Sequence, residues 1–449
     1  MEVKEFIENN FEQMKVDLKT LVSFNSVNCD DEKPFGSNNR KVLEAALKIM
    51  EDKGLKTENV DYYAGFGETG QGDKLIGIVA HLDVVPAGEG WDSDPFEMVE
   101  KDGRAYGRGV SDDKGGAVAS MYALKYLIEE GYPFKKRVRL ILGCNEETGS
   151  ECIRYYVSKH GDPDYGFTPD ANFPGIYAEK GMFSGLVTGH DTKFIDIRGG
   201  EASNVVCKKV KAVLPKGSFD IEEFKAYLDE KQVGYEINED ENIEVTVHGV
   251  AAHASMPDLG VNAISHLFEA LYYSEFDDEL VNWFHKYFAL SVHGQLLGFE
   301  KIKDEASDTS INFGVVYKKD DDVCITLDMR FPVMSNCQTV EDMMKIDEGN
   351  VKLIEKGSVE PLYFDTNTPM IKALKKAYED VTGDKETPME AIGGGTYAKS
   401  IRNCIAFGCE FQGEDNHIHD ANESLDLENF KKQVAIYIEA IRNLNEIED

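Results

Sequence analysis

The sequence predicts an α/β protein built on a mostly parallel sheet and interrupted by an inserted α+β domain. Three observations predict it. Helix and strand patterns alternate through residues 1–183, the βαβ rhythm of a sheet covered by helices. From residue 184 the texture changes to alternating strand patterns of the antiparallel kind, and from 365 the earlier style returns. The expected organisation is therefore one α/β domain made of 1–183 and 365–449, with 184–364 inserted. A chain of 449 residues is too long for one ordinary core, which agrees.

Each element has its own signal. "MEVKEFIENNFEQMKVDLKTLV" is periodic and charged, an amphipathic helix where a secretion signal would be continuously apolar. A helix is expected near 38–53, a strand around Leu75 to Ala80, and a helix over 115–130. The apolar run Val138, Leu140, Ile141, Leu142 then reads as a buried strand. Within the insertion, "ENIEVTVHGV", "TSINFGVVYK" and "DVCITLDMRFPV" read as strands and "NAISHLFEALYY" as a helix. The last part holds a helix from "TPMIKALKKAYEDVTG", a short strand "CIAFG" and a final helix "LDLENFKKQVAIYIEAIRNLNEI".

Composition narrows the partners. A net charge of −35 excludes a phosphate backbone, whose binding needs clustered Lys and Arg. No apolar run is long enough to span a bilayer, so neither nucleic acid nor membrane is expected as a partner. The 42% hydrophobic content and eight cysteines without a CxxC pair indicate a cytoplasmic protein with free thiols. Cys144 ends an apolar run and reads as a small buried thiol, not a nucleophile.

One stretch, "RVRLILGCNEETGSEC", raises a question of charge. The buried strand stops on Glu146 and Glu147, two adjacent carboxylates that repel unless a positive group lies between them or one keeps a proton. Other stretches carry matching groups. In "IGIVAHLDVVPAG", Asp83 is two residues from His81 and can hold its imidazole from the same face. In "YGRGVSDDKGGAVASMYAL", Asp112 reads as a ligand and Asp113 as a helix cap or a support, with glycines allowing close approach. Asp170 lies in "FTPDANFPG", and His417 and His419 lie in "GEDNHIHDANE". Alone, each also reads as a turn or a cap. Together, carboxylates and imidazoles at strand ends suit a pair of divalent ions, with one glutamate neutralising a metal and the other acting as a base.

The motifs "HLDVVPAGEGWDSDPF", "GRGVSDDKGG", "NEETGS", "PDANFP", "VAAHASMPDLGVNA", "GGGTYAKS" and "HDANE" resemble the co-catalytic zinc peptidases of the aminoacylase and carnosinase superfamily. Within it, they resemble the bacterial dipeptidase V branch. The resemblance implies a phosphorylase/hydrolase-like zinc-peptidase domain with the insertion as a lid. It implies that Asp112 bridges two Zn2+ ions, with His81 and Asp170 on one and Glu147 and His419 on the other. His419 is preferred to His417 for its spacing to "ANE". Glu146 is then the general base and Asp83 supports His81. From the insertion, His253 would steady the oxyanion, while Asn204 and Arg330 would hold the substrate's terminal carboxylate or a nearby carbonyl. In the glycine run, Gly395 and Thr396 would meet the substrate. Oxygen-rich sites with two histidines also accept Mn2+ or Co2+.

The chain departs from that branch where Cys207 and two lysines follow Asn204 and Val205 in place of an expected proline, and where Lys399 follows "GGGTYA" in place of a common arginine. These positions bear on substrate preference. The expected activity is hydrolysis of dipeptides with a free N-terminus, including the β-Ala-His type, by a monomer. The competing readings are a deacylase of N-acyl amino acids using the same ions and a non-catalytic metal-binding descendant.

Overall fold

A computed structural model describes residues 1–302, 304 and 308–448. By contacts the chain forms two compact units. The first comprises Met1–Tyr177, Phe364–Glu390 and Gly395–Asp449, and the second Ala178–Tyr363 with Ala391–Gly394.

The sheet of the first unit is ordered Lys56–Val60, Ala64–Gly70, Arg137–Gly143, Leu75–His81, Tyr165–Thr168, Cys404–Ala406. Its centre is parallel: Leu75–His81 pairs in parallel with strands on both sides, and Cys404–Ala406 continues the same sense. Every residue of "LIGIVAH" is buried, as a strand flanked on both edges and covered on both faces must be. An antiparallel hairpin, Lys56–Val60 with Ala64–Gly70, closes one edge and makes the sheet mixed.

Helices Val3–Val22, Ser37–Asp52, Lys114–Glu130, Pro369–Thr382 and Leu427–Asn445 belong to the same unit. Lys114–Glu130 is almost wholly buried and stops at Gly131, whose φ of 70° is the left-handed turn that ends a helix. The last helix begins at Asp426, whose carboxylate accepts the N–H groups of Glu428 and Asn429.

This arrangement puts chemistry at one edge. Leu75–His81, Arg137–Gly143 and Tyr165–Thr168 run in one direction, and His81, then Glu146 and Glu147, then Asp170 fall at or just beyond their carboxyl ends, where open α/β sheets gather ligands. A smaller antiparallel sheet adds two more loops. Ser424–Asp426 pairs with Arg104–Tyr106, which joins the chain after His419 to the chain before Asp112.

The second unit is an eight-stranded sheet ordered Gly234–Glu239, Asn242–His248, Lys209–Pro215, Asp196–Gly199, Ser310–Lys319, Asp322–Phe331, Gly181–His190, Val351–Val359. Its neighbours are all antiparallel. Helices Ile221–Glu230, Ala263–Tyr273 and Glu279–Tyr287 pack into its core, which includes Val210, Ala212, Val245, Phe268 and Phe284. Among the described residues no helix is long and apolar enough to cross a membrane.

Candidate metal centre

The first unit brings four of the expected ligands together around one carboxylate. Asp112 Oδ1 lies 2.8 Å from His81 Nε2, and Asp112 Oδ2 lies 2.9 Å from His419 Nε2. His419 Nε2 is also 3.3 Å from Glu147 Oε1. Ligand atoms of His81, Asp112 and Glu147 all lie within 4.8 Å of one another, the spacing of a group that can hold an ion. The donor set of imidazole nitrogens and carboxylate oxygens fits zinc and other divalent metals.

Asp170 stands at the margin of this group. It is outside the mutual 4.8 Å set, yet close enough that its charge raises the proton affinity of Asp113 and Glu146. His417 is directed elsewhere, with its Nδ1 3.6 Å from Asp415. Of the two histidines in "NHIH", His419 is the one placed against Asp112.

The local sequence explains this placement. His81 is the last residue of a buried strand, and its own N–H is held by Asp113 Oδ2 at 3.2 Å. Asp113 occupies the cap position of helix Lys114–Glu130 but makes no capping bond with its side chain, which serves His81 instead. The helix start is pressed against the Asp170 loop: a Cβ on Gly116 would lie 2.6 Å from the Pro169 carbonyl oxygen, so only glycine fits.

Asp83 corrects one expectation. Its carboxylate was expected to hold the His81 ring, but the nearer oxygen is 3.7 Å from Nδ1, while the Asp83 backbone carbonyl accepts the Nδ1 hydrogen bond at 2.9 Å. That bond still leaves Nε2 free to act as a ligand. The carboxylate is occupied elsewhere, accepting the N–H of Glu146 at 3.0 Å and of Glu147 at 3.2 Å.

The charges are strongly coupled. Burial pushes Asp83 up to about 6, against the opposing pull of His81. Burial also raises Glu146 well above the usual carboxylate range; His81 opposes this, and Asp170, Glu147 and Asp83 reinforce it. Asp112 goes the other way: burial is outweighed by His81 and His419, which hold it far below the normal range. Hydrogen bonds to Asp112 and Glu147 raise His419 to about 11. Burial would lower His81, but Asp112, Asp83 and Asp113 raise it well above an ordinary histidine.

Two residues that the sequence reading did not assign support this centre. Glu423 is 1% exposed and grips the loop that carries Asp112: it accepts Arg108 Nη1 at 2.8 Å and the N–H groups of Gly109 at 2.9 Å, Ser111 at 3.0 Å and Asp112 at 3.1 Å. Tyr397 is fully buried, with its ring edge-on to His81 at 6.1 Å and its hydroxyl 3.0 Å from Cys152 Sγ. Both lie inside motifs already quoted, Glu423 in "HDANE" and Tyr397 in "GGGTYAKS", but neither stretch says which distant backbone N–H groups or which imidazole the side chain meets.

The remaining expected residues are placed as follows. Thr396 is buried and its hydroxyl accepts the Ala398 N–H at 3.2 Å, while Gly395 borders the Lys399 side chain. In the second unit, His253 Nδ1 is 2.7 Å from Ser255 Oγ, and the Asn204 carbonyl accepts the Ala254 N–H at 2.9 Å. Arg330 is buried, with Nε 2.7 Å and Nη2 3.0 Å from Asp328 and Nη1 3.2 Å from the Gly393 carbonyl. Gly393 also abuts the His253 loop, since a Cβ there would lie 2.5 Å from Ser255 Cβ.

Residues 77–443 match the pattern of Peptidase family M20/M25/M40. The chain belongs to this peptidase family. It is 32% identical to a "Putative dipeptidase" of Staphylococcus haemolyticus over 98% of this chain and 99% of the relative. It is 33% identical to "Putative dipeptidase YtjP" of Bacillus subtilis, over 92% of each. Two solved structures share the fold at 15% identity: human carnosine dipeptidase 1, with a TM-score of 0.60 covering 99% of this chain and 98% of that one, and the di-peptidase Dug1p of Saccharomyces cerevisiae, with a TM-score of 0.61 covering 100% and 98%. As a member of the M20 family the protein is a metal-dependent peptidase, and the converging ligands of the first unit are its candidate metal centre.

Proposed function

We propose that the protein is a dinuclear zinc dipeptidase that hydrolyses dipeptides with a free N-terminus. The observation that carries this reading is the Asp112 carboxylate, whose two oxygens face two different imidazoles, His81 at 2.8 Å and His419 at 2.9 Å. That is the disposition of a ligand shared by two ions. His81 and Asp170 would complete one site, and Glu147 and His419 the other. Two divalent ions held there would polarise the scissile carbonyl and lower the pKa of a coordinated water from about 15.7 to about 7.

The chain's own groups then divide the work. Glu146 takes the proton from the attacking water and returns it to the departing amine. Its burial beside Asp170, Glu147 and Asp83 raises its proton affinity, which suits a group that must hold a proton between two steps. Asp83 acts through backbone, setting the positions of Glu146 and Glu147. From the second unit we assign His253 to the developing oxyanion and Asn204 and Arg330 to the substrate's terminal carboxylate or a nearby carbonyl. Among the described residues three of Arg330's five N–H donors have partners, so its fork is held and two could meet a ligand. Gly395 and Thr396 are assigned to substrate contact. The cysteines of the chain are all free thiols, which suits a reducing cytoplasm.

The test is a panel of dipeptides against N-acetyl amino acids on protein with measured metal content, in wild type and Glu146→Gln. Dipeptides should be cleaved in preference, with two ions per chain, and Glu146→Gln should keep its metal while kcat falls by about 10²–10⁴. Preference for N-acetyl amino acids would make it a deacylase. Full hydrolysis by Glu146→Gln would remove Glu146 from its role.

A further inference from the structure

The second unit contains a cavity of about 470 Å³ lined by Arg198, Lys208, Lys209 and Lys211, with Glu201 as the acid among these charges. This is unexpected in a chain with 83 Asp and Glu against 48 Lys and Arg, where a cation readily finds a carboxylate. Lys208 pairs with Glu201 at 3.1 Å and Lys211 with Glu244 at 2.7 Å, both on the surface. Among the described residues, the side chains of Arg198 and Lys209 have no hydrogen-bond or ion-pair partner, and both are exposed.

The sheet register concentrates the charge. Arg198 lies directly opposite Lys211 on the neighbouring antiparallel strand, and Lys209, two residues from Lys211, points to the same face. Glu244 already offsets Lys211, which leaves Arg198 and Lys209, among the described residues, as the like charges on this face without a counter-charge, and an anion between them would reduce their repulsion. The volume lies in the range of small-molecule sites.

The cavity shares a wall with loops already assigned to the substrate. Val205, Val206 and Ala251 line it. The Val206 N–H donates to the Ala252 carbonyl at 2.9 Å, and the Asn204 carbonyl accepts from Ala254 at 2.9 Å, so this wall is tied on either side of His253.

We propose that this cavity binds a small oxyanion, a phosphate or carboxylate group, gripped by Arg198 and Lys209. The group comes either from a free ligand or from the acidic side chain of a peptide substrate; the second source rests on the dipeptidase reading, the first does not.

The first arm of the test is a calorimetric titration of the metal-loaded protein with inorganic phosphate, comparing wild type with Arg198→Ala/Lys209→Ala. Wild type should bind saturably, and the double variant at least 10-fold more weakly. Lys216→Ala/Lys225→Ala, which removes two lysines elsewhere in the same unit, should match wild type. The second arm compares kcat/KM for dipeptides ending in Glu and in Gln. A preference for Glu that drops at least 10-fold in the double variant assigns the anion to the substrate, whereas an unchanged ratio with weakened phosphate binding assigns it to a free ligand. If the double variant equals wild type in both arms, including the case where neither binds phosphate, the proposal is overturned. The calorimetric arm needs no turnover, so failure of the dipeptidase reading leaves it intact.

Discussion

The buried carboxylate of Asp83 accepts the backbone N–H of Glu146 at 3.0 Å, and its second oxygen takes the N–H of Glu147 at 3.2 Å. One side chain thus registers the end of strand Leu75–His81 against the two glutamates that follow strand Arg137–Gly143. Two adjacent carboxylates are held by their backbone, not by their charges, which leaves both side chains available for chemistry.

Asp83→Ala should therefore act on the glutamates as much as on His81. It leaves two backbone N–H groups without their acceptor, at about 1–3 kcal/mol each if no water replaces it. The expected result is a lower melting temperature together with a fall in kcat. A variant with normal kcat and lower stability would show that the glutamates do not depend on this anchor.

Glu423→Gln should weaken metal binding without touching a metal ligand. The charge that balances buried Arg108 is lost, and breaking a buried pair costs about 3–5 kcal/mol. The loop that presents Asp112 loses part of its grip, and supporting residues of this kind are worth about 10–100-fold in metal affinity. Metal titration separates the two effects: reduced stability with unchanged affinity would confine Glu423 to a structural part.

Metal uptake should release protons and tighten as pH rises. Without an ion, His81 and His419 have folded proton affinities above the ordinary value of 6.5, His419 at about 11. Such raised groups stabilise the metal-free fold fully below pH 6.5, and this contribution is lost as pH climbs toward the folded values. An ion must displace those protons, so affinity should be greater at pH 8 than at pH 6. Calorimetry in buffers of different ionisation enthalpy measures the release; an affinity indifferent to pH would contradict the assigned ligands.

Arg330→Lys should raise KM for dipeptides while sparing metal content. The guanidinium meets Asp328 through two nitrogens, Nε at 2.7 Å and Nη2 at 3.0 Å, and an ammonium cannot reproduce that fork. Steady-state kinetics on Arg330→Lys should show the loss in KM and kcat/KM, and unchanged kinetics would take Arg330 out of substrate binding.

The sequence alone determined the fold class, because apolar runs such as "LIGIVAH" and the periodic "LENFKKQVAIYIEAIRNLN" are local patterns that neighbouring residues decide. It also pointed to His81, Asp112, Glu147 and His419 through short motifs. The edge hairpin Lys56–Val60 with Ala64–Gly70 was not legible, since its Gly-rich second strand has little of a strand's usual composition. Other features belong to the tertiary structure alone. The 2.9 Å approach of His419 to Asp112 depends on how the loop before Ser424–Asp426 is drawn to Arg104–Tyr106, a pairing between positions more than three hundred residues apart. The turn of Asp83 toward Glu146, the clamp of Glu423 on the Asp112 loop, and the opposition of Arg198 to Lys211 likewise arise from distant segments meeting in space. A chain's local pattern records which face is buried, but not which remote backbone N–H or charge will lie against it.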